Sequence, residues 1–232
     1  MISKIAALQA TEFFRNVDPE ALKSLAERAQ VRKLEPGEFL FSAGEPCRGL
    51  FVVVEGWTRA FRHNADGREQ VIHEDGPGGT FPEVAVFDDG PYPSTLVAAH
   101  RTVLLFLRKE DIKRFCLAHP DAALSALRIL SRRLRRATGM IERFALLEVS
   151  QRVAVYLIQQ IPAGGAQVGS VELELKHTNQ EIADRVGTVR EVVSRTFANF
   201  QRRGWLEKHN RIVRIKDLEA LKRYAAGEAV TR

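Results

Sequence analysis

Residues 177–203 read HTNQEIADRVGTVREVVSRTFANFQRR, and the spacing of their polar and apolar positions decides how this part of the chain folds. Two short helices are predicted, each with its own start signal. Thr178-x-x-Glu181 and Thr188-x-x-Glu191 are both capping boxes, in which a Thr hydroxyl accepts an orphan amide while the Glu reaches back to the cap amide. Gly187 stands between them, where a tight turn needs a residue free to adopt positive φ. Ile182, Ala183 and Val186 form an apolar stripe on the first helix. On the second, at about 100° per residue, Val189, Val192, Val193, Thr196, Phe197 and Phe200 share one side. Arg190, Glu191, Ser194 and Arg195 fall within about 140° on the other. The pattern is a helix-turn-helix with a polar outer face.

The chemistry of that face matches the edges of base pairs. An arginine presents a two-pronged donor for O6 and N7 of guanine, a carboxylate accepts from the N4 amine of cytosine, and a serine hydroxyl serves base or phosphate. Arg195 is the candidate for guanine, Glu191 for cytosine, and Arg190 and Ser194 for base or phosphate. Thr178, Gln180 and Thr188 are candidates for setting register on phosphates.

On Thr178, Gln180, Glu181, Ile182, Ala183, Val186, Gly187, Arg190, Glu191, Ser194 and Arg195 the chain resembles the CRP/FNR transcription regulators. The resemblance runs over nearly the whole chain and implies an α+β architecture. Its expected parts are an N-terminal β jelly-roll sensor of the cyclic-nucleotide-binding type at 1–119, a long dimerisation helix at 120–148 and a winged helix-turn-helix at 149–232. Double-stranded DNA with a palindromic operator, a second copy of the chain and RNA polymerase are the partners it implies.

Composition agrees with that order. Residues 1–120 carry 15 Lys/Arg against 17 Asp/Glu, residues 121–149 carry 6 against 3, and residues 150–232 carry 14 against 9. The positive excess therefore lies with the predicted DNA reader, where phosphates must be neutralised. No run of about 18 apolar residues exists for a membrane span, and the first residues lack the core and cleavage site of a signal peptide. Two cysteines, Cys47 and Cys116, make no disulfide framework, so a cytoplasmic setting is expected. No nucleophile motif, metal-ligand spacing or P-loop is present, and Asp88-Asp89 reads as a turn, so catalysis is not expected.

Ahead of the reader, Asp18-Pro19 opens a helix with Leu22, Leu25 and Ala29 on one side. From Val31 to Leu107, β-rich runs alternate with glycine-bearing turns, including a hairpin turn at Asn64-Ala65-Asp66-Gly67, the rhythm of a sandwich or barrel. Within Gly78–Ala98 the family places its effector pocket. There Glu83, Ser94 and Thr95 match the cyclic-nucleotide pattern, while Pro82 and Pro93 replace its Gly and its phosphate-binding Arg. Without that Arg the motif lacks a charge-assisted bidentate contact for a buried phosphate, so an effector other than cyclic AMP is expected. An iron–sulfur cluster needs four thiolates and is excluded by counting; the F-x-E-x-x-x-F run Phe81–Phe87 resembles FNR-like and nitric-oxide-responsive members, which leaves a haem-based nitric-oxide sensor open through His63, His73, His100 or His119. No metal site is read from the sequence.

Pro120 and Asp121 open a helix of roughly 28 residues, about 40 Å long. Leu127, Leu130, Leu134, Ala137, Ile141 and Phe144 recur in steps of three and four, the seam of a coiled coil between two copies. The intervening RRLRR run reads as a solvated basic face. Where cyclic AMP receptors use a Thr-Ser pair against the adenine, this chain has Ala137 and Thr138, leaving Thr138 as the fourth pocket candidate. Beyond a hinge near Ser150, read as a helix cap, a helix stops at Pro162-Ala-Gly-Gly165. The strand Val171–Leu175, a wing with its tip at His209-Asn210-Arg211 and a helix from Asp217 to Ala225 complete the expected chain.

Overall fold

A computed structural model of the chain describes residues 3–65, 67, 69–162 and 171–228. The fold is α+β. It opens with α1 (Lys4–Gln9) and α2 (Pro19–Arg28), the latter started by Asp18, whose side chain accepts from the Glu20 amide, with Pro19 at the first helical position. Strands β1 (Gln30–Leu34), β2 (Phe39–Phe41), β3 (Gly49–Glu55), β4 (Thr58–His63), β5 (Glu69–Asp75) and β6 (Thr80–Phe81) follow. The short α3 (Glu83–Phe87) leads to β7 (Thr95–Ala98) and β8 (Thr102–Arg108). These strands form two four-stranded sheets, in the orders β1-β8-β3-β6 and β2-β7-β4-β5. Asp66, in the hairpin turn expected between β4 and β5, lies outside the described residues.

The apolar run of β3 shows why the sheets stack. Phe51 and Val53 point between the sheets, joining Leu34, Phe41, Ala60, Phe81, Leu96 and Leu104. Leu50 and Val52 point the other way, into a second core with Leu8, Phe13, Phe14, Leu22, Leu105, Leu107 and Ile112. A strand covered on both faces needs apolar residues at both parities, and the unbroken LFVVV of β3 supplies them. Ile112 belongs to α4 (Lys109–Ala118), one of the helices that close this second core. Burial pushes the Cys116 thiol up to about 11 and raises that of Cys47 as well, which keeps both protonated at neutral pH.

Helix α5 (Pro120–Leu146) buries Ala122, Ser125, Ala126 and Ile129. On its outer side Leu127, Leu134 and Ile141, seven residues apart, are 58%, 70% and 68% exposed, and Leu124 extends the line. Two members of the expected seam behave differently. Leu130 is half-buried, and Phe144 lies under the Arg152 guanidinium at 4.9 Å, a cation–π contact. The chain divides into two compact units, and the division falls inside α5 between Ala137 and Thr138.

The second unit contains α6 (Val149–Gln159), β9 (Val171–Glu174), α7 (Asn179–Val186), α8 (Arg190–Arg202), β10 (Leu206–His209), β11 (Ile212–Ile215) and α9 (Leu218–Ala225). Its core joins Val153, Leu157, Leu173, Ile182, Val193, Phe197, Phe200, Trp205, Val213 and Leu221. The sheet order is β10-β11-β9, all antiparallel. Ser150 is not the cap of α6. That place is held by Glu148, whose amide donates to Gln151 Oε1 at 2.8 Å, while the Ser150 hydroxyl bonds Tyr224 across the unit. Of the expected stop, Pro162 stands three residues past the last residue of α6, Gln159, and residues 163–165 lie outside the described residues.

Candidate nucleic-acid interface and effector pocket

Helix α7 starts as its sequence demands. The Thr178 hydroxyl accepts from the Glu181 amide at 3.2 Å, and the Thr178 amide donates to Glu181 Oε2 at 2.7 Å. Burial works to raise the Glu181 carboxyl, but its bonds from the Thr178 amide and hydroxyl outweigh that and leave it below the ordinary value. The helix ends at Gly187 in the left-handed region, φ 70° and ψ 52°, with its amide on the Ala183 carbonyl.

The second capping box does not form. Thr188 is buried, and its amide donates to the same Ala183 carbonyl at 3.0 Å, so it completes the end of α7 instead of starting α8. Helix α8 begins one residue later, with Val189 as its N-cap and no side-chain cap bond. Val189, expected on the inner stripe, is accordingly exposed. Of the rest of that stripe, Val193, Thr196, Phe197 and Phe200 are buried and Val192 is half-buried.

Arg190, Glu191, Ser194 and Arg195 are all exposed on the opposite side of α8. Asn179, the first residue of α7, donates from Nδ2 to Ser194 Oγ at 3.0 Å. Gln180 is exposed, with its Nε2 on Asp184 Oδ1 at 2.8 Å. The Thr178 hydroxyl also donates to Glu181 Oε2 at 2.9 Å, so both of its roles serve the cap. The wing is the β10–β11 hairpin. Asn210 takes φ 54° at its tip, beside exposed His209 and Arg211.

In the first unit the carboxylate that the sequence singled out is fully buried. Glu83, at the first position of α3, accepts a hydrogen bond from the Thr80 hydroxyl. Its other oxygen, Oε2, lies 3.2 Å from Arg133 Nη2 on α5, but Nη2 is aligned on the Thr80 carbonyl and Oε2 has no hydrogen-bond partner. Burial raises the Glu83 carboxyl above its usual range, against the pull of Arg133 and the Thr80 bond. Arg133 also stands 3.6 Å from Asp75 Oδ1, and His73 Nε2 lies 3.2 Å from both Arg133 Nη1 and Asp75 Oδ2. Next to it, Arg132 pairs with Glu12. The RRLRR run is therefore not simply a solvated face, because two of its arginines are committed to the β-roll side. Arg133 is the pocket residue that the sequence reading missed. Nothing in a run of five basic and apolar letters distinguishes the arginine that turns inward.

Ser94 and Thr95 are buried, and Thr95 Oγ1 accepts from the Ala43 amide at 3.1 Å. Pro93, where the family's phosphate-binding Arg would stand, offers its carbonyl to Arg62 Nη1 at 2.9 Å. Thr138 lies beyond the division in α5, in the second unit. Among the histidines considered for haem, His73 is tied into the Arg133–Asp75 cluster, the His119 ring lies 4.4 Å from that of Phe115 at a 36° tilt, and His63 and His100 are exposed. No helix of the described residues is long and apolar enough to cross a membrane.

Comparison with known proteins gives two family matches. The cyclic nucleotide-binding domain matches residues 31–119, and the Crp-like helix-turn-helix domain matches residues 151–224. The chain is 32% identical to the CRP-like cAMP-activated global transcriptional regulator of Mycobacterium tuberculosis, over 91% of this chain and 95% of that protein. It is 28% identical to the cyclic AMP receptor protein of Thermus thermophilus, over 96% of this chain and all of that one. Among solved structures, the c-di-GMP-responsive global regulator CLP of Xanthomonas campestris superposes with a TM-score of 0.73 at 21% identity, covering 86% and 99% of the two chains.

Proposed function

The chain belongs to the CRP/FNR family of DNA-binding transcription regulators, and from that premise we propose that it works as an effector-controlled homodimer that reads a palindromic operator. The observation that carries the proposal is the shared outward face of Arg190, Glu191, Ser194 and Arg195 on α8, one turn of chain away from the capped α7. Arg195 takes guanine and Glu191 accepts from cytosine; Arg190 and Ser194 serve base or phosphate. Thr178 and Gln180, exposed at the start of α7, set register on the phosphates. The operator contains TG…CA.

Dimerisation runs through the apolar line of α5. Leu127, Leu134 and Ile141 are large side chains in water on a single chain, and their heptad spacing suits the same line on a second copy. Two readers then meet half-sites about 34 Å apart, one helical turn of DNA.

The effector binds in the β-roll against Glu83 and Arg133, and is not cyclic AMP. Pro93 brings no charge to the place where a cyclic phosphate would need one. Glu83 Oε2 is buried 3.2 Å from Arg133 Nη2 with no donor aligned on it, and an effector that presents N–H or O–H there would supply one. The effector's leverage over DNA binding equals the difference between its affinities for the two states of the dimer. Selection of bound sequences from a random duplex pool, run with the purified protein, tests the reader; a palindrome with TG…CA is expected, and an unstructured pool would refute it. Calorimetry with cyclic AMP tests the pocket, with no binding heat expected up to millimolar nucleotide.

A further inference from the structure

Two hydroxyl side chains on α8, Ser194 and Thr196, are two residues apart and used differently. Thr196 Oγ1 donates to the Val192 carbonyl at 2.8 Å, the common way for a helical hydroxyl to spend its proton on its own helix. Ser194 makes no such bond among the described residues. Its Oγ instead accepts from Asn179 Nδ2 at 3.0 Å. An amide nitrogen can only donate, and a hydroxyl carries one proton and two lone pairs. One lone pair of Ser194 is therefore held toward α7, and its O–H is left for the exposed side of α8.

We propose that Asn179 is a positioning residue that sets the polarity of Ser194, making it a hydrogen-bond donor to a base edge. This rests on the reading of α8 as the recognition helix. A donor at this place demands an acceptor opposite, which N7 or O6 of guanine, N7 of adenine and O4 of thymine all provide. Cytosine shows only its N4 amine in the major groove and is rejected. The operator position facing Ser194 thus excludes cytosine without specifying one partner. Asn179 itself need touch no base.

Relative affinities for all four bases at every operator position, measured by competition on the full-length protein, test this with Ser194→Ala, Asn179→Ala, Asn179→Asp and the double Asn179→Ala/Ser194→Ala variant. Base preference is the readout, because a purely structural effect of Asn179 would lower affinity for every sequence and leave the preferences alone. Ser194→Ala is expected to weaken the exclusion of cytosine at one position by about fivefold, the worth of one neutral hydrogen bond. Asn179→Ala is expected to weaken it at the same position, and to change nothing further in the Ser194→Ala background. In Asn179→Asp the carboxylate takes the Ser194 proton and turns lone pairs outward, so cytosine should become acceptable there. If Ser194→Ala relaxes a position that Asn179→Ala and Asn179→Asp leave as in wild type, Asn179 has no such role, although the recognition-helix reading stands. If Ser194→Ala leaves every position unchanged or lowers all affinities alike, Ser194 does not read a base, and both readings fail at this residue.

Discussion

The reader and the sensor place their charged groups in opposite environments. On α8, Arg190, Glu191 and Arg195 stand in water on one exposed face, where each keeps its hydration. In the β-roll, Glu83 is fully buried and depends on two neighbours, Thr80 and Arg133, brought from separate segments. Removing an exposed charge from the first region should subtract the proposed contact with DNA and little else. Removing one partner from the second leaves an ion without water or counterion, and that cost falls on folding itself. On the proposed reading, specificity thus resides where stability is indifferent, and the effector pocket where stability is at stake.

Substitution of Arg133 by Met should show the largest effect. It strands Glu83, and about 3–5 kcal/mol of unfolding free energy should be lost, as for other broken buried pairs; denaturant midpoints measure it. A loss under about 0.5 kcal/mol, typical of surface changes, would erase the contrast between the two regions. Next comes Leu134→Glu on the exposed line of α5, which sets two like charges against each other at the proposed dimer seam, at a cost of several kcal/mol. Sedimentation should find single chains at concentrations where the wild type pairs, with unfolding of each chain unchanged.

Thr178→Val and Thr188→Val sharpen the comparison inside the reader. The first removes a hydroxyl that caps α7 and should cost about 1 kcal/mol. The second removes a hydroxyl with no cap bond, and thermal unfolding should barely move. A pH dependence sharpens the comparison at Glu83. Its folded carboxyl is raised by burial, so the charged form costs more in the fold than in the unfolded chain. The stability it contributes is full below the ordinary glutamate value and is lost as pH rises through the higher folded value. Wild type should therefore lose stability relative to Glu83→Gln over that interval, whatever the offset between them at acid pH. A difference that stays flat across the interval would mean that Glu83 titrates normally.

The same contrast explains what was legible in the sequence. The outer face of α8 follows from helical period alone, since four residues within one arc need no knowledge of the rest of the chain. Thr178 and Glu181 act within one turn and were equally readable. Thr188 was misread because a capping box is a local pattern, and here the end of α7 had already claimed the residue through the Ala183 carbonyl. Arg133 was invisible for the opposite reason. It lies 50 positions from Glu83, and only the packing of α5 brings that one arginine of the RRLRR run to the buried carboxylate. The heptad line of α5 was legible in its period, but the side to which Phe144 turns, under Arg152, was not.

Arg195→Ala tests the central claim most directly. Affinity for the selected palindrome and for random duplex of equal length should be measured side by side at fixed salt. The account predicts a loss of about 1–3 kcal/mol per half-site on the palindrome, relaxed discrimination at one guanine, and nearly unchanged binding to random DNA. Equal losses on both duplexes would show that Arg195 serves only phosphates, and would contradict the account.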